Sequence, residues 1–171
     1  MDKNPSVSSR EELRSLEERI ELAAKRTVAN LQALVESREP IDVLRSMKFD
    51  ECGSDPLKAS PLNLIEQLNQ TFTYLASLKG VAYLLETHPD SAPFVLNLGT
   101  RPGHDIESMD GEVVCEVFAA VRPGNNDKLN KDSKRVHGAK AKHKYVFFLS
   151  PGVEPGEQSS SFDDVRVISV D

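Results

Sequence analysis

Glu116 lies inside the apolar run Val113-Val114-Cys115-Glu116-Val117-Phe118-Ala119-Ala120-Val121. A strand this rich in Val, Phe and Ala reads as dry on both faces, and an unpaired carboxylate there costs several kcal/mol. The chain must therefore fold so that something compensates that charge. A cationic side chain, a proton shared with a second carboxylate, or a bound metal ion would each suffice. A second acid stands eleven residues earlier, at Asp105 in the segment Gly103-His104-Asp105-Ile106.

With 171 residues, 39% hydrophobic and 28% charged, the chain is long enough for one domain with a core and an appendage. Cys52 and Cys115 match no metal spacing, and Met1 to Arg10 is polar rather than a signal peptide. A reduced, soluble, cytoplasmic protein is the expectation. No stretch approaches the roughly 18 apolar residues of a membrane helix, so no membrane partner is expected.

The net charge of -6 hides an asymmetry. Between Lys128 and Lys144 seven cations (Lys128, Lys131, Lys134, Arg135, Lys140, Lys142 and Lys144) face one acid, Asp132. A basic segment in an acidic chain can be a local footprint for phosphate, and it can equally be a solvated helix face.

Ser9-Arg10-Glu11-Glu12 reads as a capping box that opens a long amphipathic helix to about Ser37. Pro40 to Phe49 reads as a short helix and Asp50 to Ala59 as a loop. Ser60-Pro61 reads as an N-cap with proline at the first helical position, opening a second long helix to about Glu86. Its polar side carries Glu66, Gln70 and Thr73.

After His88 the pattern shortens to strand-like runs at Phe94 to Leu98, Asp105 to Ser108 and Val113 to Val121. Thr100 to Gly103 and Met109 to Gly111 read as turns, and the three strands as an antiparallel meander. A helix from Asn126 to about His137 follows, ended by Gly138, and then strands at Tyr145 to Leu149 and Val165 to Val170. The fold class is α/β with a mixed sheet, and the core order is α-β-β-β-α-β-β. Residues 1–59 form an N-terminal helical extension and 60–171 the core.

That order, with acids on the second and third strands, resembles the PD-(D/E)XK nuclease superfamily, which includes many restriction endonucleases. The resemblance covers roughly Ser60 to Asp171. It implies that Asp105 and Glu116 hold a divalent cation, Mg2+ or Mn2+ in its place, and that Glu66 on the first core helix faces the site. The family's lysine, two residues after the third-strand acid, is absent: Phe118 stands there. Some members carry that lysine on a neighbouring element, for which Lys128 is the first candidate and Lys131 the second. Lys128 is expected about one turn inside its helix, on the face of Asp132 and Arg135.

The chemistry needs these residue types together. Magnesium takes hard oxygen donors from one or two carboxylates and keeps several waters. It polarises a phosphate and lowers the pKa of a bound water, while a nearby ammonium stabilises the charge that develops. Lys131, Lys134, Arg135, Lys140 and Lys142 would hold the DNA backbone. Glu107 is an optional third carboxylate. His104 is assigned no role, since adjacent strand residues point to opposite faces, and Cys115 turns away from Glu116 into the core. His137 and His143 are assigned to the basic surface. The implied activity is a metal-dependent endonuclease acting on DNA, with a homodimer through the N-terminal helices. The other class open to the chain is a catalytically silent nuclease-fold module that binds nucleic acid or a protein.

Overall fold

The structure, a computed structural model, describes residues 4–98 and 102–170. The chain divides into two units, Met1–Leu13 with Thr73–Asp171, and Arg14–Phe72. Among the described residues there are four α-helices and a mixed seven-stranded sheet.

The sheet belongs to the first unit. Its strands are β1 (Ser6–Val7), β4 (Phe94–Leu96), β5 (Ile106–Ser108), β6 (Val113–Ala119), β7 (His143–Leu149), β8 (Gly156–Gln158) and β9 (Arg166–Ser169). Their spatial order is β1-β4-β5-β6-β7-β9-β8. From β4 to β6 the pairing is antiparallel, as a meander requires, with Ile106 opposite Cys115. β6, β7 and β9 then run parallel, with Glu116 opposite Val146. Parallel neighbours need a crossover. Helix α4 (Lys128–His137) is the crossover between β6 and β7.

One face of the sheet carries Val114, Phe118, Val146, Phe148 and Val167, packed with Val136 of α4. The other face meets α3 (Leu64–Thr87) through its residues 73–87: the Tyr83 ring lies 5.6 Å from Phe147 and 5.9 Å from Tyr145. Gly80 permits that approach, because a Cβ there would sit 2.8 Å from the Phe147 ring.

The second unit holds α1 (Arg10–Ser37) from Arg14 onward, α2 (Pro40–Phe49), a small ladder of β2 (Gly53–Ser54) with β3 (Pro61–Leu62), and the first turns of α3. Buried Gln67 is its polar hub: Thr27 Oγ1 and the Ser54 N–H converge on Gln67 Oε1 at 2.8 and 2.9 Å.

Several boundaries differ from expectation. Ser60-Pro61 does not cap α3, since Pro61 and Leu62 pair with β2; the cap is Asn63, whose Oδ1 accepts the Glu66 N–H at 2.9 Å. The Ser9 cap is formed, with Glu12 N–H on Ser9 Oγ at 3.2 Å, but Glu12 reaches back to the Ser8 N–H instead of that of Ser9. β8 lies between the strands expected at Tyr145 to Leu149 and Val165 to Val170, in a stretch where no strand is expected. Thr100 and Arg101 of the expected turn lie outside the described residues.

Candidate active site

Successive β6 side chains point to opposite faces, which sends Cys115 and Val117 one way and Glu116 and Phe118 toward α4. Glu116 is 1% exposed. Both of its oxygens are occupied: Oε1 lies 2.7 Å from His104 Nδ1, and Oε2 accepts from Arg135 Nη1 at 2.9 Å. The β6–α4–β7 crossover packs α4 on this face, so an arginine in its last turns reaches a carboxylate in the middle of β6. The same guanidinium donates to the Gly103 carbonyl. Gly103 has φ +125, a conformation open to glycine.

The reading that turned His104 away from the site is corrected. β5 begins at Ile106, so His104 and Asp105 precede the strand and its alternation does not govern them. His104 is further fixed by its N–H, which donates to Glu107 Oε1 at 2.8 Å. That contact occupies an oxygen of Glu107, the optional third acid.

Asp105 is partly buried and accepts the Val117 N–H on Oδ2 at 2.8 Å. Burial, and next the nearby Glu116 charge, raise its pKa from 3.8 to about 6; the Val117 N–H and the Lys128 ammonium pull the other way. Asp105, Glu116 and Lys128 therefore share one electrostatic neighbourhood.

Lys128 is the first residue of α4 and not one turn inside it, because Asn125–Asp127 form a separate 3-10 turn with Asn126 and Asp127 at positive φ. Its Nζ lies 2.7 Å from Asp132 Oδ1. Asp132 is 4% exposed, and its Oδ2 has no hydrogen-bond partner among the described residues. Burial raises its pKa, and the Glu116 charge adds to that against the pull of Lys128. Sequence reasoning passed over Asp132 as the lone acid of a basic run. The available signal was its spacing, four residues after Lys128 and three before Arg135, beside the inward Ser133 and Val136.

Lys131 is directed elsewhere, its Nζ donating to the Asn126 carbonyl at 2.9 Å. Phe118 stacks on Phe148 at 5.5 Å and packs with Val136, so a lysine there would have to bury its ammonium under α4. Glu66 is exposed in the first turn of α3, within the unit Arg14–Phe72.

The basic segment is partly neutralised. Arg135 and Lys128 have the partners above, and Lys144 and His137 both bind Asp164, at 2.7 and 2.6 Å, which holds the Asp164 pKa down at about 2. Lys134, Lys140 and Lys142 are exposed and have no ion pair among the described residues, and Lys131 likewise has none.

Three buried or partly buried carboxylates, Asp105, Glu116 and Asp132, thus face two permanent cations, Lys128 and Arg135. Their oxygens are the donor class that magnesium selects, and the unpartnered Asp132 Oδ2 adds an unanswered acceptor. The donor class of these oxygens suits a hard divalent cation, although both Glu116 oxygens are engaged by His104 and Arg135. Among the described residues no group of three or more acidic, histidine or cysteine side chains is arranged to hold a metal ion. Magnesium, which keeps much of its water, needs only one or two carboxylates.

Comparison with known proteins finds no matching family model, no matching curated protein and no matching solved structure. Among the described residues no helix is long and apolar enough to cross a membrane.

Proposed function

We propose that this protein is a divalent-metal-dependent nuclease that hydrolyses phosphodiester bonds in DNA, with a core of the PD-(D/E)XK, restriction-endonuclease-like type. The observation that carries the reading is the hydrogen bond from the Val117 N–H, the residue after Glu116 on β6, to Asp105 Oδ2 at 2.8 Å, which brings the Asp105 carboxylate to the strand segment that carries Glu116. The element order α3, β4, β5, β6, α4, β7, β9, with acids just before β5 and in β6, supports it.

Asp105 and Glu116 would hold Mg2+, or Mn2+ in its place. The chemistry supplied by such an ion is polarisation of a phosphate oxygen and a bound water of lowered pKa. Lys128, tethered by Asp132, brings an ammonium to the charge that develops on phosphorus-bound oxygen, and its tether removes rotamer freedom before the reaction. Arg135, half-exposed and clamped by Glu116 and Gly103, keeps further N–H donors for a phosphate. Lys131, Lys134, Lys140 and Lys142 hold the backbone on either side.

A silent nuclease-fold module that binds nucleic acid or a protein is favoured by one observation: His104 and Arg135 already engage both Glu116 oxygens, while Phe118 fills the motif-lysine position. Plasmid cleavage separates the two. The nuclease reading expects nicking that requires Mg2+ or Mn2+ and disappears in Glu116→Ala. Equal nicking by wild type and Glu116→Ala, or none by wild type with either metal, overturns it.

A further inference from the structure

Nine of the eleven exposed large apolar side chains among the described residues fall between Arg14 and Phe72, about a third of the chain. The most exposed of the nine are on α2: Ile41 at 74%, Phe49 at 70% and Leu44 at 63%. Val43 and Ser46 are the buried side of that helix. Ile41, Leu44, Arg45 and Lys48, at i, i+3, i+4 and i+7, form the outward side. Ile41, Leu44 and Phe49 line an open groove of about 610 Å³ with Arg45 and Asp50. Each such side chain left in water forgoes about 1.5–3 kcal/mol of burial.

We propose that α2 is the centre of a symmetric dimer interface whose occupant is α2 of a second copy of this chain. The helix is self-complementary. Acidic Asp42 lies in its first turn and basic Lys48 in its last. An antiparallel pair related by a two-fold axis near Arg45 sets Ile41 against Phe49 of the second copy and Asp42 against its Lys48. Each pairing occurs twice, and the helix dipoles oppose. Asp50 lines the same groove and is ion-paired with Arg38 at 3.6 Å. The balance of acids and bases around α2 argues against an anionic membrane as the occupant, which would select a cationic rim. This surface stands independently of the nuclease reading.

Sedimentation velocity over a concentration series tests it. Wild type is expected to be a dimer, and Leu44→Glu and Phe49→Glu to be monomers with unchanged far-UV circular dichroism; both sites are exposed, so neither change strikes the core. Asp42→Lys and Lys48→Asp should each weaken association at least tenfold, and an equimolar mixture of the two should recover it as a heterodimer. Four results overturn the proposal: a wild type that stays monomeric throughout, dimers that survive both glutamate substitutions, a charge-swap mixture no tighter than either variant alone, or a monomer that floats with anionic phospholipid vesicles.

Discussion

Arg135 Nη1 lies 2.9 Å from Glu116 Oε2, which joins the helix after β6 to the one charge buried inside that strand. The pair answers the question the apolar run poses, and it does so unequally, since Glu116 is sealed while the guanidinium is half-exposed. Removal of the cation therefore costs more than the pair contributes, because the carboxylate stays buried without its partner. Arg135→Ala is expected to lower unfolding free energy by about 2–3 kcal/mol, below the 3–5 typical of two sealed ions. Adding Glu116→Gln should recover part of that loss, a non-additivity that urea unfolding of the two single variants and the double variant measures.

Asp105 gives the pH dependence. Its folded pKa, about 6, stands above the ordinary 3.8, so the folded state binds the proton more tightly than the unfolded chain. Ionisation thus works against folding above pH 6, and the penalty is relieved as pH falls through 6 toward 4. Asp105→Asn should raise stability at pH 7 by on the order of 2–3 kcal/mol and abolish cleavage. Thermal unfolding at pH 7 and pH 4 checks this: the gain should be large at the first and small at the second.

The lysines divide by direction. Lys128 points to Asp132 and acts on Asp105, whereas Lys131 points back to the Asn126 carbonyl. Lys128→Ala should slow cleavage by about 10²-fold or more at saturating DNA. Lys131→Ala should leave that rate within about threefold and weaken DNA binding. The split between single-turnover rate and binding constant reads both, and the reverse pattern would exchange the two assignments.

Salt reports how much of the basic segment meets phosphate. With Lys144, His137 and Arg135 tied to acids, four cations remain to neutralise phosphate: Lys131, Lys134, Lys140 and Lys142. The slope of log binding constant against log salt should be about -3 to -4 for duplex DNA, and about one shallower for each lysine replaced by alanine. Fluorescence anisotropy in calcium, without turnover, measures it.

Much of this was legible from residue patterns. Periodicity located α1 and α2, the apolar runs located β4, β6 and β7, and Glu116 marked itself by its neighbours. What escaped was set by local geometry or by tertiary pairing. His104 was misjudged because strand alternation was applied to a residue two positions before β5. Ser60-Pro61 satisfied a helix-start pattern, yet pairing of Pro61 with Ser54 overrode it and moved the cap to Asn63. β8 has no β-branched residue and exists because it pairs with β9. Arg135 was seen as a cation on the face of Lys128 and Asp132; that it would be spent largely on Glu116 follows only once α4 is laid over β6.

The central claim, that Asp105 and Glu116 form a site for a divalent cation, is tested most directly by Mn2+ binding followed through the electron paramagnetic resonance of the free ion. Wild-type protein should remove a single ion per chain from solution, Mg2+ should compete it off, and Asp105→Asn or Glu116→Gln should abolish the uptake. A free-ion signal that wild-type protein leaves unchanged would contradict the account.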